Sequence, residues 1–295
     1  MNVHGSAEPW PATQLRIDPT LGTVVHVVQS RQTRPNLPST GCPFCVGGLE
    51  APEPYDVFAF TNRWPAMPDE RCEVVLYTSE HDATFAELGP LGARKVVDLW
   101  AERTAALGAR DDVDFVLVFE NRGPEVGATI AHPHGQIYAY DHVPSRPTRR
   151  FAAGWRPEAD PGDRHLVTVG SWTASVAYAG TYPISLVLAP DEQVPDLPSC
   201  SDDQRGDLAA LLVDVLDRLD RLYDRPLPYM MWFNQAPFTT GRDRTSDWLH
   251  LELVSPWRSA GVARFIAAAE VSCEEYFNPV SPEELAATLR SLSSP

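Results

Sequence analysis

No apolar run in this 295-residue chain approaches the roughly 20 residues needed to cross a bilayer. The opening MNVHGSAEPWPATQ also lacks the basic start and apolar core of a secretory signal. Cytoplasm is the expected compartment. Basic charge is short as well: 24 Lys and Arg against 40 Asp and Glu leave a net charge of −16. With no basic excess to neutralise a phosphate backbone, nonspecific nucleic-acid binding is disfavoured, while a local arginine cluster still permits nucleotide chemistry. Cysteines are few and odd in number: Cys42, Cys45, Cys72, Cys200 and Cys273. That count does not suit a disulfide framework. Two of them form CPFC, which in a reducing compartment suggests metal or redox chemistry, and the other three read as buried apolar fillers. Length is not lacking, being enough for one large domain or two smaller halves.

What the chain does have is periodicity. GTVVHVV (22–28), VFAFTN (57–62) and EVVLYTS (73–79) are β-rich runs bounded by Pro, Gly and Asn. Val96, Val97, Leu99, Trp100 and Leu107 are then spaced for a helix. DFVLVFEN (114–121), a loop RGPEVGATIA and the stretch AHPHGQIYAY follow. The second half repeats the plan with LVTVGSWTASVAYAG and ISLVLAP as strands. Its helix is capped by Ser201 or Asp202 and carries the stripe Leu208, Leu211, Leu212, Val215, Leu219 and Leu222. YMMWFNQAPF and DWLHLELVSP complete the copy. In this alignment Asn121 corresponds to Asn234, and His132-Pro-His134 to His250-Leu-Glu252. The chain reads as a duplicated α+β unit whose second copy has lost the catalytic pair. Residues 141–165 serve as the connection, and two short helices, around 262–270 and 282–292, end the chain.

AHPHGQIYAY spans residues 131–140 and places His132, His134 and Gln136 at i, i+2 and i+4. Pro133 and Gly135 argue against a helix there, and Ile137, Tyr138 and Tyr140 favour a strand. Alternate strand residues share a face, so three polar groups, two of them imidazoles, are expected on one face. Alternate Cα atoms lie about 6.5–7 Å apart, so one imidazole can bind a metal while the other meets a substrate.

HPHGQ preceded by FENRGPEVGATIA, with CPFC upstream, resembles the galactose-1-phosphate uridylyltransferases of the histidine-triad superfamily. RQTRP, FAFTNRWPAM, HDATFAEL, NQAPF and SPWRSAGVARFIAAAE fall in the same order, so the likeness covers most of the chain. It implies an α+β fold of two tandem histidine-triad-like units, each a mainly antiparallel sheet with packed helices. The catalytic half would span 1–150 and the degenerate half 151–295. It also implies a nucleotidylyltransferase working by ping-pong: a histidine attacks the α-phosphorus of a UDP-sugar, or another nucleoside-diphosphate sugar, releases sugar 1-phosphate, and passes UMP, or another nucleoside monophosphate, to a second sugar 1-phosphate.

His134 matches the nucleophile, with the backbone carbonyl of His132 fixing its tautomer. Gln136 matches the donor to a non-bridging phosphate oxygen; being unable to ionise, it favours transfer over hydrolysis. Arg31, Arg34, Asn62, Asn121, Gly127 and Thr129 match nucleotide-contacting positions, and the backbone N–H groups of RGPEVGAT offer a cradle for anionic oxygens. Arg63 stands where some uridylyltransferases carry an aspartate, which leaves the base open. Cys42, Cys45, His81 and His132 match a structural zinc set. Some family members hold a second metal; here its positions read Asn234, His250 and Glu252, and SRPTRR supplies no carboxylate, so no second metal is expected and His250 should be a hydrogen-bonded strand residue. Arg264, Phe265 and Glu270 match a segment that contacts the sugar phosphate, often from the partner of a homodimer. Ala269 replaces a larger aromatic there, leaving the sugar open. Two other readings remain: an adenylyl-transferring phosphorylase of the same superfamily, and a non-catalytic zinc-stapled nucleotide-binding module. Against the second stands Gln136, which zinc does not need.

Overall fold

Apolar residues on alternate positions sort the strands of this chain into one large sheet with a helical face and an open face. The computed structural model describes residues 14–28 and 41–293. A small antiparallel hairpin, β1 (Gln14–Ile17) and β2 (Val24–Val27), comes first. The first half then runs β3 (Phe58–Thr61), β4 (Cys72–Leu76), α1 (Gly89–Gly108), β5 (Phe115–Arg122) and β6 (His134–Tyr140). After α2 (Ser145–Ala152), the second half runs β7 (His165–Val169), β8 (Trp172–Val176), β9 (Ile184–Pro190), α3 (Asp202–Arg221), β10 (Tyr229–Asn234) and β11 (His250–Ser255). A second hairpin, β12 (Trp257–Ser259) and β13 (Val262–Ala263), precedes α4 (Ala268–Cys273) and α5 (Pro282–Ser291).

Nine strands form one antiparallel sheet in the order β3-β4-β6-β5-β10-β11-β9-β8-β7. The fold is α+β, as expected from the sequence. The halves join edge to edge at β5 and β10, where Phe119 pairs with Trp232. α1 and α3, 20 residues each, pack side by side on one face. Their stripes, Val96, Val97 and Trp100 on α1 with Leu208, Leu212 and Val215 on α3, meet Val116, Val118, Ile137, Leu186 and Leu251 of the sheet in one core. α3 opens with a capping box: Ser201 Oγ accepts from Gln204 N, and Gln204 Oε1 accepts from Ser201 N. Such a cap is worth about 1 kcal/mol and names Ser201, not Asp202, as the cap. Among the described residues, no helix is long and apolar enough to cross a membrane.

The 141–165 connection carries the helix α2. Two expectations need correction. Residues 262–270 are not one helix: Val262 and Ala263 pair with β12, Arg264 is tied to the carbonyls of Thr181 and Phe277, and the helix starts only at Ala268. The second concerns register. α1 and α3 start 113 positions apart, at Gly89 and Asp202, and that offset also carries β4 onto β9 and β5 onto β10, with Asn121 onto Asn234. The β5–β6 register pairs Phe119 with Gln136 and, carried two residues on, sets Asn121 opposite His134. The β10–β11 register pairs Asn234 with His250 and Trp232 with Glu252. His250 therefore takes the place of His134, not of His132, and Glu252 that of Gln136. Both halves thus carry an imidazole at this register.

Candidate active site

β6 presents His134, Gln136 and Tyr138 on the open face and buries Gly135, Ile137 and Ala139 against the helices. His132 does not share the strand: it lies in a bend before β6 and is fully buried. The expected row of three polar groups is thus a row of two, with the third turned inward. Glycine at 135 is required, because a Cβ there would come 2.1 Å from the Tyr77 hydroxyl and 3.1 Å from the Phe119 carbonyl oxygen.

His134 Nδ1 lies 2.7 Å from the backbone oxygen of His132. A carbonyl only accepts, so Nδ1 carries the proton and Nε2 is the unprotonated nitrogen. Gln136 Oε1 receives long contacts of 3.5 Å from Asn62 Nδ2 and from the Tyr138 hydroxyl. That leaves the amide NH2 as the end with protons to offer a ligand. Asn62 is nearly buried and accepts from the Trp64 N–H at 2.8 Å, which fixes its own amide. Gln136 thus shares a strand face with His134 and is contacted by Asn62. Asn121 lies half-buried near the end of β5.

The loop after β5 behaves differently from expectation. Val126 N and Ala128 N donate to Gly123 O, and Gly127 N donates to Pro124 O. These three N–H groups close the loop's own turn, with Gly127 at φ +85°, and are not a ready phosphate cradle. Thr129 follows, half-buried, on the way to His132. Arg31 and Arg34 lie outside the described residues.

Cys42, Cys45, His81 and His132 do come together, with their ligand atoms all within 4.8 Å of one another. Cys45 Sγ is 3.4 Å from His81 Nδ1 and 3.7 Å from His132 Nδ1. Zinc bonds of about 2.0–2.3 Å place tetrahedral ligand atoms about 3.3–3.8 Å apart, so this donor set fits a metal ion. His132 Nε2 is 2.7 Å from the Thr78 carbonyl and 2.9 Å from the Tyr55 hydroxyl, which assigns its proton to that side and turns Nδ1 toward the cluster. Burial lowers the pKa of His132, favouring the neutral ring that a metal requires. Burial and the neighbouring Cys42 thiol raise that of Cys45; a bound dication reverses this for the thiolate.

Phe44, inside the CPFC turn, links the cluster to the open face. Its ring stands edge-on 5.1 Å from that of His134 and 6.2 Å from that of His132. Tyr55 braces the turn by donating to the Phe44 carbonyl at 2.6 Å. Sequence reasoning missed both residues: CPFC was read for its thiols, and Tyr55 sits in no motif.

The remaining assigned residues lie apart. Arg264 is ion-paired with Glu270 and donates to Thr181 O at 2.8 Å and Phe277 O at 3.0 Å. Glu270 in turn accepts from Phe277 N and Ala267 N, while Phe265 is exposed. None of these bonds reaches β6.

In the second half His250 repeats the arrangement of His134: its Nδ1 lies 2.9 Å from the backbone oxygen of Trp248, also two residues back. Its Nε2, however, is 2.9 Å from Arg150 Nη1, and the Trp155 indole lies stacked on the ring at 3.5 Å. Arg150 and Arg146 both pair with Glu252, which also accepts from Asn234 Nδ2 at 3.3 Å. Burial pushes His250 down to about 3. A guanidinium thus holds the atoms that a second metal would need, and His250 is the hydrogen-bonded strand residue expected.

An imidazole with a fixed tautomer, on the same strand face as a glutamine amide and next to a Cys2His2 cluster, is an arrangement suited to nucleophilic group transfer. Comparison with known proteins narrows the class. Sequence profiles for the N-terminal and C-terminal domains of galactose-1-phosphate uridyl transferase match residues 58–144 and 129–294. The galactose-1-phosphate uridylyltransferase of Thermotoga maritima is 33% identical over 94% of this chain and 98% of its own. That of Streptomyces lividans is 35% identical over 95% and 87%. A solved uridylyltransferase structure superimposes with a TM-score of 0.85 at 25% identity, covering 94% of this chain and 97% of that one. An ADP-glucose phosphorylase from Arabidopsis thaliana, at 20% identity and a TM-score of 0.75, shares the fold. The chain belongs to the galactose-1-phosphate uridylyltransferase family.

Proposed function

We propose that this enzyme moves a uridylyl group from a UDP-sugar to a sugar 1-phosphate, galactose 1-phosphate being the acceptor its relatives' names suggest, through a covalent intermediate on His134. Nε2 attacks the α-phosphorus, an N–P bond forms, and the bond to the bridging oxygen breaks, so sugar 1-phosphate leaves with the electron pair. The positive charge arising on the ring is stabilised through Nδ1–H and the His132 carbonyl. The Gln136 amide donates to a non-bridging oxygen as charge develops there. A second sugar 1-phosphate then attacks the phosphorus with a phosphate oxygen, the N–P bond breaks, and the neutral imidazole returns. Gln136 has no ionisable proton to activate water, which keeps the intermediate for the acceptor. The 2.7 Å contact between His134 Nδ1 and His132 O carries this reading. Intact mass after mixing with UDP-glucose should rise by one uridylyl group, lost again in acid. Turnover without any such adduct would overturn it.

Several finer assignments belong to the same proposal. Zinc would be held by Cys42, Cys45, His81 and His132, supplying structure and not reaction chemistry by clamping the residue whose carbonyl orients His134. Elemental analysis should find one zinc per chain. Asn62, Asn121, Gly127 and Thr129, with Arg31 and Arg34, would contact the nucleotide. Arg264, Phe265 and Glu270 would reach the sugar phosphate of a partner subunit. The exposure of Val262, Phe265, Val271 and Phe277 in one segment supports a homodimer, since such apolar side chains gather at interfaces. The matched helices and offset strands support a duplication into a catalytic half, 1–150, and a degenerate half, 151–295. Cytoplasmic residence completes the reading.

A further inference from the structure

The open face that carries His134 in the first half carries a cavity of about 730 Å³ in the second. That volume suits a small organic ligand. Three arginines line it, each lying over a tryptophan: Arg146 over Trp232 at 5.1 Å, Arg150 over Trp155 at 5.9 Å, and Arg156 over Trp248 at 5.6 Å. An indole face holds a guanidinium in place and leaves its N–H edges for an anion. Arg146 and Arg150 share the single carboxylate of Glu252, so that trio keeps one positive charge. Arg156 is exposed and has no ion pair among the described residues. Of the acids at the rim, Glu158 is ion-paired with Arg164 and Asp160 accepts from Gly162 N, while Asp191 also lines the cavity. The hydroxyls of Thr173 and Ser175 stand on the floor.

Guanidinium planes backed by indoles to stack on a base, the N–H edges of Arg156 for a phosphate and hydroxyls for a ribose are together the complement of a nucleotide. Its place on the sheet is the counterpart of β6, so the inference rests on the reading of β6 as a nucleotide site. The reactive position is closed, because His250 Nε2 already accepts from Arg150. We propose that the cavity beneath α2 binds a nucleoside monophosphate without reacting with it, as a second, non-catalytic nucleotide site in each chain.

Equilibrium dialysis of the full-length protein against labelled UMP tests this. The wild type should bind two equivalents per chain, with quenching of tryptophan fluorescence as the second site fills. Arg156→Glu, a change at an exposed position, should bind one equivalent and still form the His134 adduct from UDP-glucose. Trp248→Ala should also bind one. Uridine and inorganic phosphate, each carrying part of the chemistry, should leave the second site unfilled at concentrations where UMP fills it. One equivalent in the wild type, two in Arg156→Glu, or saturation by phosphate alone overturns the proposal. Loss of the adduct in the wild type would instead overturn the transfer reading, so the two failures are distinguishable.

Discussion

His134 and His250 hold the same place in the two halves of one sheet, and each donates Nδ1–H to a backbone carbonyl two residues back. They differ in their surroundings. The face of β6 that carries His134 also carries Gln136, which Asn62 contacts, and Phe44 stands edge-on to the ring. Against His250 stand the guanidinium of Arg150, the face of Trp155 and the carboxylate of Glu252. The backbone of a strand opening thus sets the tautomer in both halves, and in the second half a guanidinium takes the other nitrogen.

Removing each ring in turn is the strongest way to break the comparison. His134→Gly should abolish the uridylyl adduct and lower transfer by at least about 10³-fold, because no other group replaces a lost nucleophile. His250→Ala should leave transfer within about twofold in protein that remains folded. Exchange of labelled sugar 1-phosphate into UDP-sugar measures both, and equal losses would erase the distinction. A smaller effect is expected from giving the first half the second half's acid. Gln136→Glu puts a carboxylate beside the reacting phosphate and removes a donor, so the rate should fall on the order of 10²–10³-fold. The loss should shrink at low pH, where protonation restores a donor; a loss that is flat with pH would count against direct contact.

Much of this was legible in the sequence, for physical reasons that also mark where legibility stopped. Strand and helix periodicity placed the elements of the sheet because each buries one face. HPHGQ and CPFC, with the family resemblance they carry, pointed to His134 and to Cys42, Cys45, His81 and His132, and those four do gather in space. The register between the halves was misread by two residues, since His132-Pro-His134 and His250-Leu-Glu252 align as text. Only the hydrogen-bond ladders of β5 with β6 and of β10 with β11 show which residue faces Asn121 and which faces Asn234. α2 was invisible because SRPTRR has no apolar stripe; its arginines instead reach Glu252 and His250, about a hundred positions away in sequence. The segment from 262 has good helix formers, yet Arg264 is held by distant carbonyls that local propensity does not reveal.

Arg150 is the residue that silences His250, so its removal sharpens the comparison next. Arg150→Ala would leave a buried imidazole nitrogen without its donor and Glu252 with Arg146 alone. Breaking a largely buried ion pair from one side costs about 3–5 kcal/mol, and urea unfolding should register most of it. Transfer by the folded fraction should not change. A loss under about 1 kcal/mol would mean that the guanidinium is replaced by solvent and that the closure of this site is weak.

The smallest effect tests the other face of the sheet. The offset that carries Asn121 onto Asn234 carries Glu120 onto Phe233, so the first half buries a carboxyl where the second buries a phenyl ring. Glu120 accepts from the Tyr229 hydroxyl at 2.7 Å, and its burial raises its pKa from 4.5 to about 7. Below pH 4.5 the carboxyl is protonated in the folded and unfolded chain alike. Between 4.5 and 7 the unfolded chain releases the proton while the folded chain keeps it, so stability falls as pH rises through this window. Above it the loss is complete, at up to about 3 kcal/mol. Glu120→Gln keeps an acceptor for Tyr229 and has no proton to lose. Its melting temperature should therefore gain on the wild type as pH climbs from 4.5 to 7 and hold that gain beyond. If both proteins lose stability in parallel over that range, Glu120 is ionised in the folded chain and the asymmetry between the two helix-facing strands has no consequence for pH.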